Sequence, residues 1–160
     1  MDKMQAILQK LNTRTTDERA PMLSDAFYRA VCLSNDMKHI HAHATGRKFD
    51  TLHAMCQEYY QRAAEDADTL LELAIEYKHP VSNANDAAAY VSHTSENAER
   101  YDWGAAMSAI HDLLSAYIDG LQALAQDAPS EDAADQIRGM LRYWKKELNY
   151  KMAARMEGER

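Results

Sequence analysis

The stretch HAHATGRKFDTLHAMCQ contains side chains that could hold a metal ion. His41 and His53 offer imidazole nitrogens, and Gln57 offers an amide oxygen four residues after His53. Further along the same periodic segment, Asp68 and Glu72 form a second pair with the same spacing. Mixed nitrogen and oxygen ligands suit divalent transition metals. The pattern therefore indicates either a metal site whose parts must be brought together, or ordinary surface residues of a charged helix.

The spacing places these residues on one face of a helix but far apart along its axis. Residues four apart share one side of a helix, and at about 100° per residue Asp68 lies within about 60° of His53 and about 20° of Gln57. The rise of about 1.5 Å per residue nevertheless separates His53 from Asp68 by roughly 22 Å. One metal ion cannot touch both pairs within a single chain.

A two-fold axis would bring the two pairs together. In two antiparallel copies of this helix, residues whose numbers add to a constant sum face each other, so His53 faces Glu72 of the partner subunit. Gln57 then faces Asp68 of the partner subunit, and the symmetry builds two equivalent sites. We therefore predict an isologous dimer through this helix.

The predicted axis passes near Arg62 and Ala63. Ala63 and Ala64 are small enough to let two helices approach closely at that point. The sequence therefore predicts that Ala63 lies at the dimer interface.

The composition and the apolar periodicity predict an all-α fold that positions these residues. Glycine (5) and proline (3) are scarce among the 160 residues, which favours long helices. Apolar residues recur at steps of three and four in four segments. These run from Ser24, as the N-cap, to Gly46; from Phe49 to Pro80; from Asp102 to Gln126; and onward from Ser130, as the N-cap. The predicted core positions are Ala30, Leu33, Met37, Ile40, Ala44, Leu52, Met55, Tyr59, Ala63, Ala67, Leu70, Ala74, Tyr77, Met107, Ile110, Leu114, Tyr117, Leu121, Leu124, Ile137, Leu141, Trp144 and Leu148.

The connections between these segments predict the topology. The first and third connections are short, whereas the second runs from Pro80 to about Tyr101 and contains a short helix behind an Asp86 cap. Four helices with one long crossover form a ferritin-like four-helix bundle. We predict an N-terminal extension over 1–23, the bundle over 24–156 and a C-terminal tail over 157–160.

The quoted residues resemble the signature of the Dps branch of the ferritin-like superfamily, the DNA-binding proteins from starved cells. HAHATGRKFDTLH followed by DTLLE is similar to a pattern in which one histidine ends the first helix and a second opens the next, with Gly and Phe between them. An Asp and a Glu four apart then lie beyond the dimer axis. The matching positions are His41, Gly46, Phe49, His53, Asp68 and Glu72.

The resemblance implies iron chemistry: binding of Fe(II), its oxidation by peroxide or dioxygen, ferric storage and protection against oxidative stress. His41 and His53 would supply imidazoles from one subunit, Asp68 and Glu72 carboxylates from its neighbour, and Gln57 a neutral oxygen. The resemblance also implies homo-oligomers built from antiparallel two-fold dimers, with a hollow dodecameric shell as one such assembly.

Two positions depart from the family pattern. Gln57 stands where the family has an acidic ligand, and Ala42 stands where it has tryptophan. A neutral amide cannot balance cationic charge, so we expect a weaker iron site. Asp50 is a nearby substitute for the missing carboxylate, and Glu58 is a poorer one because it points about 100° away from Gln57. The alternative function is a non-catalytic helical-bundle assembly or interaction protein with a degenerate metal site.

Two other residue pairs that contain histidine are expected to hold no metal of their own. His39 and His43 are four apart at a helix end, where such surface pairs usually bind nothing physiological. Glu76 and His79 spell the ExxH of di-iron bundles, but such a site requires carboxylates from all four helices.

The charge and the remaining composition indicate which partners and which cellular compartment to expect. A net charge of −7 argues against strong DNA binding, because affinity for phosphate backbones depends on clustered Lys and Arg. No apolar run is long enough to span a bilayer. Cys32 and Cys56 lie within helical patterns without a paired framework, so we expect a cytoplasmic protein with reduced thiols.

Overall fold

The structure is a computed structural model that describes residues 22–83 and 99–157. The predicted short helix behind Asp86 and nearly all of the predicted N-terminal extension lie outside these residues. Within the described ranges, no helix combines the length and the apolar content that crossing a membrane requires.

Four long helices form an all-α bundle, which confirms the predicted fold class. They are α1 (Leu23–His43), α2 (Phe49–Glu76), α3 (Trp103–Gln126) and α4 (Glu131–Lys146). After α4 the chain continues as a π-helical segment (Glu147–Met152) and ends in the short α5 (Ala153–Glu157). The π-helical segment has no counterpart in the predicted pattern.

The chain crosses the length of the bundle between α2 and α3. After α2, the backbone N–H of Ser82 donates to the hydroxyl oxygen of Tyr28, near the start of α1, at 2.7 Å. Before α3, the backbone N–H of Tyr101 donates to the carbonyl oxygen of His43, at the end of α1, at 2.9 Å. The described ends of this connection therefore lie at opposite ends of α1, as a long crossover requires.

The predicted apolar stripes form the core. Every predicted core position is buried except Tyr77 and Leu148, which are partly buried and pack against the same core. The largest fully buried side chain is Trp144, whose ring lies within 6 Å of the rings of Tyr59, Tyr117 and Tyr143. Burial of this continuous apolar surface is the main force that holds the helices together.

Two predicted helix starts are confirmed by their capping hydrogen bonds. The side chain of Asp102 accepts a hydrogen bond from the backbone N–H of Ala105 at 2.9 Å, at the start of α3. The hydroxyl of Ser130 accepts one from the backbone N–H of Ala133 at 3.1 Å, at the start of α4. Both caps satisfy a backbone donor that has no partner within its helix.

The predicted start of α1 is wrong. Ser24 is not the N-cap but a buried residue inside the helix, which begins at Leu23 after Met22. The Met22 side chain makes no capping bond. Instead, Nδ1 of His79, just after α2, accepts a hydrogen bond from the backbone N–H of Leu23 at 3.1 Å.

The second helix ends before the predicted Pro80, at Glu76. Lys78 adopts a left-handed backbone conformation with φ of 58°, and the N–H of His79 donates to the carbonyl of Ala74 at 2.8 Å. This bond pattern closes many helix C-termini because it satisfies carbonyls that the last turn leaves without partners. Backbone geometry therefore ends α2 before Pro80 can do so.

Candidate metal centre

A tight turn brings His41 and His53 into contact. His41 lies in the last turn of α1, and His53 lies near the start of the antiparallel α2. Between them, Gly46 takes a φ of +93°, which L side chains rarely adopt, and its carbonyl accepts from the N–H of Phe49 at 3.1 Å. The two imidazole rings stack with their centroids 3.6 Å apart and their planes 26° apart.

The two histidines exchange hydrogen bonds with each other's backbone. Nδ1 of His41 lies 2.9 Å from the carbonyl oxygen of His53, and Nδ1 of His53 lies 3.2 Å from the carbonyl oxygen of His41. A carbonyl can only accept, so each Nδ1 carries the proton that it donates. In a neutral imidazole, Nε2 is then the atom with a lone pair available to a metal ion.

This bonding pattern is typical of histidines that ligate metals. Such a histidine usually donates its other ring N–H to a carbonyl or carboxylate, which fixes the tautomer and the orientation of the ring. The carbonyl of His41 belongs to the last turn of α1, where it lacks a partner within the helix. His53 thus supplies a hydrogen-bond donor to this carbonyl, and the same bond orients the His53 ring.

Gln57, Asp68 and Glu72 are exposed on the outer surface of α2. The helix is unbroken from Phe49 to Glu76, so the predicted axial separation of roughly 22 Å between His53 and Asp68 holds. Among the described residues of this single chain, no group of three His, Cys, Asp or Glu side chains is close enough to hold a metal. The structure brings the two histidines together, and the pairing with a partner's carboxylates stays a prediction.

One residue predicted at the dimer axis lies elsewhere. Ala63 is fully buried in the core of its own subunit, so it cannot contact a partner, whereas Ala64 is exposed. Arg62 is only partly exposed, and its Nε donates to Asp66 at 3.2 Å. The outer surface at the predicted axis therefore consists of Gln61 and Ala64, whose numbers satisfy the same antiparallel pairing rule.

Of the two substitute carboxylates, Glu58 is already engaged. Its side chain accepts a hydrogen bond from the hydroxyl of Tyr143 at 3.1 Å and lies 4.0 Å from Nζ of Lys151. Both partners belong to the C-terminal part of the chain, so Glu58 points away from His53. Asp50 is exposed in the first turn of α2, one turn before His53.

The other histidine pairs have structural contacts. Nδ1 of His43 donates to the carbonyl of His39 at 2.8 Å, and their ring centroids lie 4.2 Å apart. His79 accepts from Leu23 at the start of α1. These contacts explain the positions of the rings without a metal.

A buried carboxylate that was not among the predicted site residues lies at the centre of the bundle. Asp66 is 2% exposed and accepts hydrogen bonds from Nε1 of Trp144 at 2.7 Å and from the hydroxyl of Tyr117 at 3.1 Å. Burial raises the pKa of this carboxyl group. The sequence spacing does indicate that Asp66 is buried, because it lies three residues after Ala63 and four before Leu70, at a core position of the apolar stripe.

A second buried carboxylate lies at the start of the π-helical segment. Glu147 is 1% exposed, accepts from the hydroxyl of Tyr59 at 3.0 Å and forms an ion pair with Lys151. The apolar pattern predicted Leu148, not Glu147, at the core. Glu147 lies three residues after the buried Trp144 and therefore shares the inward face of α4.

The two cysteines are unsuited to metal binding in this state. Burial raises the pKa of Cys32 to about 11 and that of Cys56 to about 12. The thiolate is the form that binds metals, so both side chains remain poor ligands at neutral pH.

The fold and the histidine pair define a class: an all-α four-helix bundle with one long crossover and a pair of ordered imidazoles at a helix turn. No protein-family model matches the chain, and no curated protein matches it. The function of the protein is therefore inferred from the geometry of the site.

Proposed function

We propose that this protein binds Fe(II) between two subunits, oxidises it and stores the ferric product, as the resemblance to the Dps branch implies. The observation that carries the proposal is the reciprocal hydrogen bonding of His41 and His53, which leaves Nε2 of each ring available. The two hydrogen bonds fix one tautomer and one orientation for each ring, as is usual for histidines that ligate metals. By removing iron and peroxide together, this activity would protect against oxidative stress.

The stacked rings suit two metal ions rather than one. Their planes differ by only 26°, and their centroids are 3.6 Å apart, so in-plane lone pairs cannot converge on a common ion at normal ligand distance. Each imidazole would then serve its own ion. Bound side by side, two Fe(II) ions can each give up one electron, while one hydrogen peroxide takes up both electrons and two protons to form two waters.

The carboxylates would come from a second copy of the chain. Asp68 and Glu72 are exposed on the same face of α2 as Gln57, so they are available to a partner. Ile75, which is 64% exposed, lies five full turns after Gln57 on that face. An exposed large apolar side chain on this face supports its burial in an antiparallel dimer, from which a shell can be built.

The compartment follows from the same chemistry. The buried thiols of Cys32 and Cys56 need no oxidising environment, so the proposed location is the cytoplasm.

Gln57 offers a direct test of the site. If it faces Asp68 of the partner subunit, Gln57→Asp adds an anionic oxygen and should strengthen Fe(II) binding and accelerate oxidation, because hard divalent cations favour carboxylates over amides. Gln122→Asp is the matched control, since it makes the same charge change at an exposed position of α3. Stopped-flow absorbance of the ferric product, after anaerobic loading with Fe(II), measures both variants.

The complementary variant removes a proposed ligand. His53→Ala should abolish oxidation because Nε2 of His53 is lost, while sedimentation checks that assembly persists. If Gln57→Asp and His53→Ala both behave as wild type, the protein is a non-catalytic helical-bundle assembly.

A further inference from the structure

Two further aromatic rings contact the His41 and His53 pair, one at each histidine. The ring of Phe49 stacks on His53 with centroids 5.0 Å apart and planes 28° apart. The ring of Tyr60 contacts the ring of His41 edge to face, with centroids 5.3 Å apart and planes 87° apart. The four rings therefore form a chain of contacts in the order Phe49, His53, His41 and Tyr60.

Phe49 lies at the surface and is not part of the hydrophobic core. Its side chain is 40% exposed in the first turn of α2, whereas the buried stripe of this helix begins at Leu52. Its backbone N–H donates to the carbonyl of Gly46, so the same turn that joins the helices also holds the ring over His53. Contact with His53, rather than core burial, accounts for an aromatic ring here.

Tyr60 is held by contacts on two sides. Its backbone carbonyl accepts from the hydroxyl of Ser34 at 2.9 Å, which ties this part of α2 to α1. Nζ of Lys38 lies 5.5 Å from the centre of the Tyr60 ring, within the range of a cation–π contact. Tyr60 therefore gives His41 a fixed aromatic neighbour.

We propose that Phe49 is a positioning residue of the metal centre, an inference that rests on the proposed function. The hydrogen bond from His53 to the carbonyl of His41 is the longer of the two, 3.2 Å against 2.9 Å, so His53 depends more on other contacts for its orientation. A flat ring stacked on His53 restricts rotation of the imidazole and shields its hydrogen bond from water. Phe49 thereby keeps Nδ1 on the carbonyl and Nε2 directed to the metal.

The first experiment uses the metal-free protein. Solid-state NMR with 15N-labelled histidine distinguishes the two imidazole tautomers, and the His53 signal is assigned with His53→Gln. We expect a single Nδ1–H tautomer for His53 in the wild type and a mixture of tautomers in Phe49→Leu. Phe49→Tyr keeps an aromatic ring at this position, so we expect a single tautomer in that variant as well. Because Phe49 lies at the surface, these replacements leave the core intact.

The second experiment measures Co(II) binding by calorimetry. Phe49→Leu should weaken Co(II) binding by about tenfold, which is typical when a contact that orients a metal ligand is lost. Phe49→Tyr should bind Co(II) as tightly as the wild type does. Tyr150→Leu is the matched control, because Tyr150 is an exposed aromatic, 69% accessible, on the π-helical segment.

The outcomes separate the two proposals. A Phe49→Leu protein that keeps one His53 tautomer and binds Co(II) as tightly as Tyr150→Leu would overturn the positioning role. A wild type that binds no Co(II) would overturn the iron-binding function, while the tautomer measurement would still decide the role of Phe49.

Discussion

Nε1 of Trp144 donates a 2.7 Å hydrogen bond to Asp66, and this bond joins α4 to α2 inside the bundle. The hydroxyl of Tyr117 in α3 donates to the same carboxylate oxygen at 3.1 Å. A single buried side chain therefore connects three of the four helices. Buried polar groups contribute to a unique packing arrangement only when their donors are all satisfied, as they are here.

Replacement of Asp66 tests this connection. Asp66→Ala leaves the Trp144 N–H and the Tyr117 hydroxyl without their acceptor, and Arg62 without its ion partner. We expect a loss of about 3–5 kcal/mol in the free energy of unfolding, measured by urea denaturation. Asp112→Ala, at an exposed position, should change stability by about 0.5 kcal/mol or less. A loss below about 1 kcal/mol for Asp66→Ala would contradict the importance of the network.

The pH dependence of stability should also report on Asp66. Burial raises its pKa, so the folded protein holds this proton more tightly than the unfolded chain does. The corresponding stability is fully present below the ordinary carboxyl pKa of about 4 and is lost as the pH rises through the folded value. From pH 4 to 7, the wild type should therefore lose unfolding free energy relative to Asp66→Asn, which does not titrate. A constant difference between the two proteins would contradict this expectation.

Two adjacent alanines should give opposite results in a dimerisation assay. Ala64→Glu places a charge on the outer face of α2, so we expect a folded subunit with weakened self-association. Ala63→Glu places the charge in the core, so we expect loss of folding itself. Sedimentation velocity and circular dichroism distinguish these results. Unchanged association of Ala64→Glu would argue against the proposed axis.

DNA binding should be weak despite the family resemblance. Of the basic residues near the C-terminus, Lys151 is paired with Glu147, and Arg155 is directed toward the hydroxyl of Tyr59. Lys145 and Lys146 are exposed, but a protein of net charge −7 offers few phosphate contacts. We expect no mobility shift with duplex DNA below about 1 μM protein at about 150 mM salt. A salt-sensitive shift under these conditions would show that a basic surface has been overlooked.

Apolar periodicity was sufficient to predict the helices and most of the core. Residues such as Ile110, Leu114 and Leu121 repeat at the helical period, and burial of that stripe leaves little choice of fold. That His41 and His53 act together was implied by the resemblance, and the structure shows the turn at Gly46 that brings them into contact. These features depend on local pattern and short connections, which a sequence displays directly.

Contacts between distant segments could not be predicted in the same way. The acceptor for the first amide of α1 is His79, 56 residues later, and nothing near Ser24 indicates it. Ala63 was assigned both to the core and to the dimer interface, because its small size fits either, and only the core assignment is correct. Glu147 lies three residues after the buried Trp144, but its charge kept it out of the predicted apolar stripe.

The hydrogen bond from Leu23 to His79 also constrains the order of folding during synthesis. When α1 leaves the ribosome, its first amide lacks the acceptor that it has in the folded protein, because His79 is translated only after the whole of α2. The start of α1 must therefore remain hydrated or frayed until the α1 and α2 hairpin has closed. The first half of the nascent chain can then form a capped unit before α3 and α4 have been made.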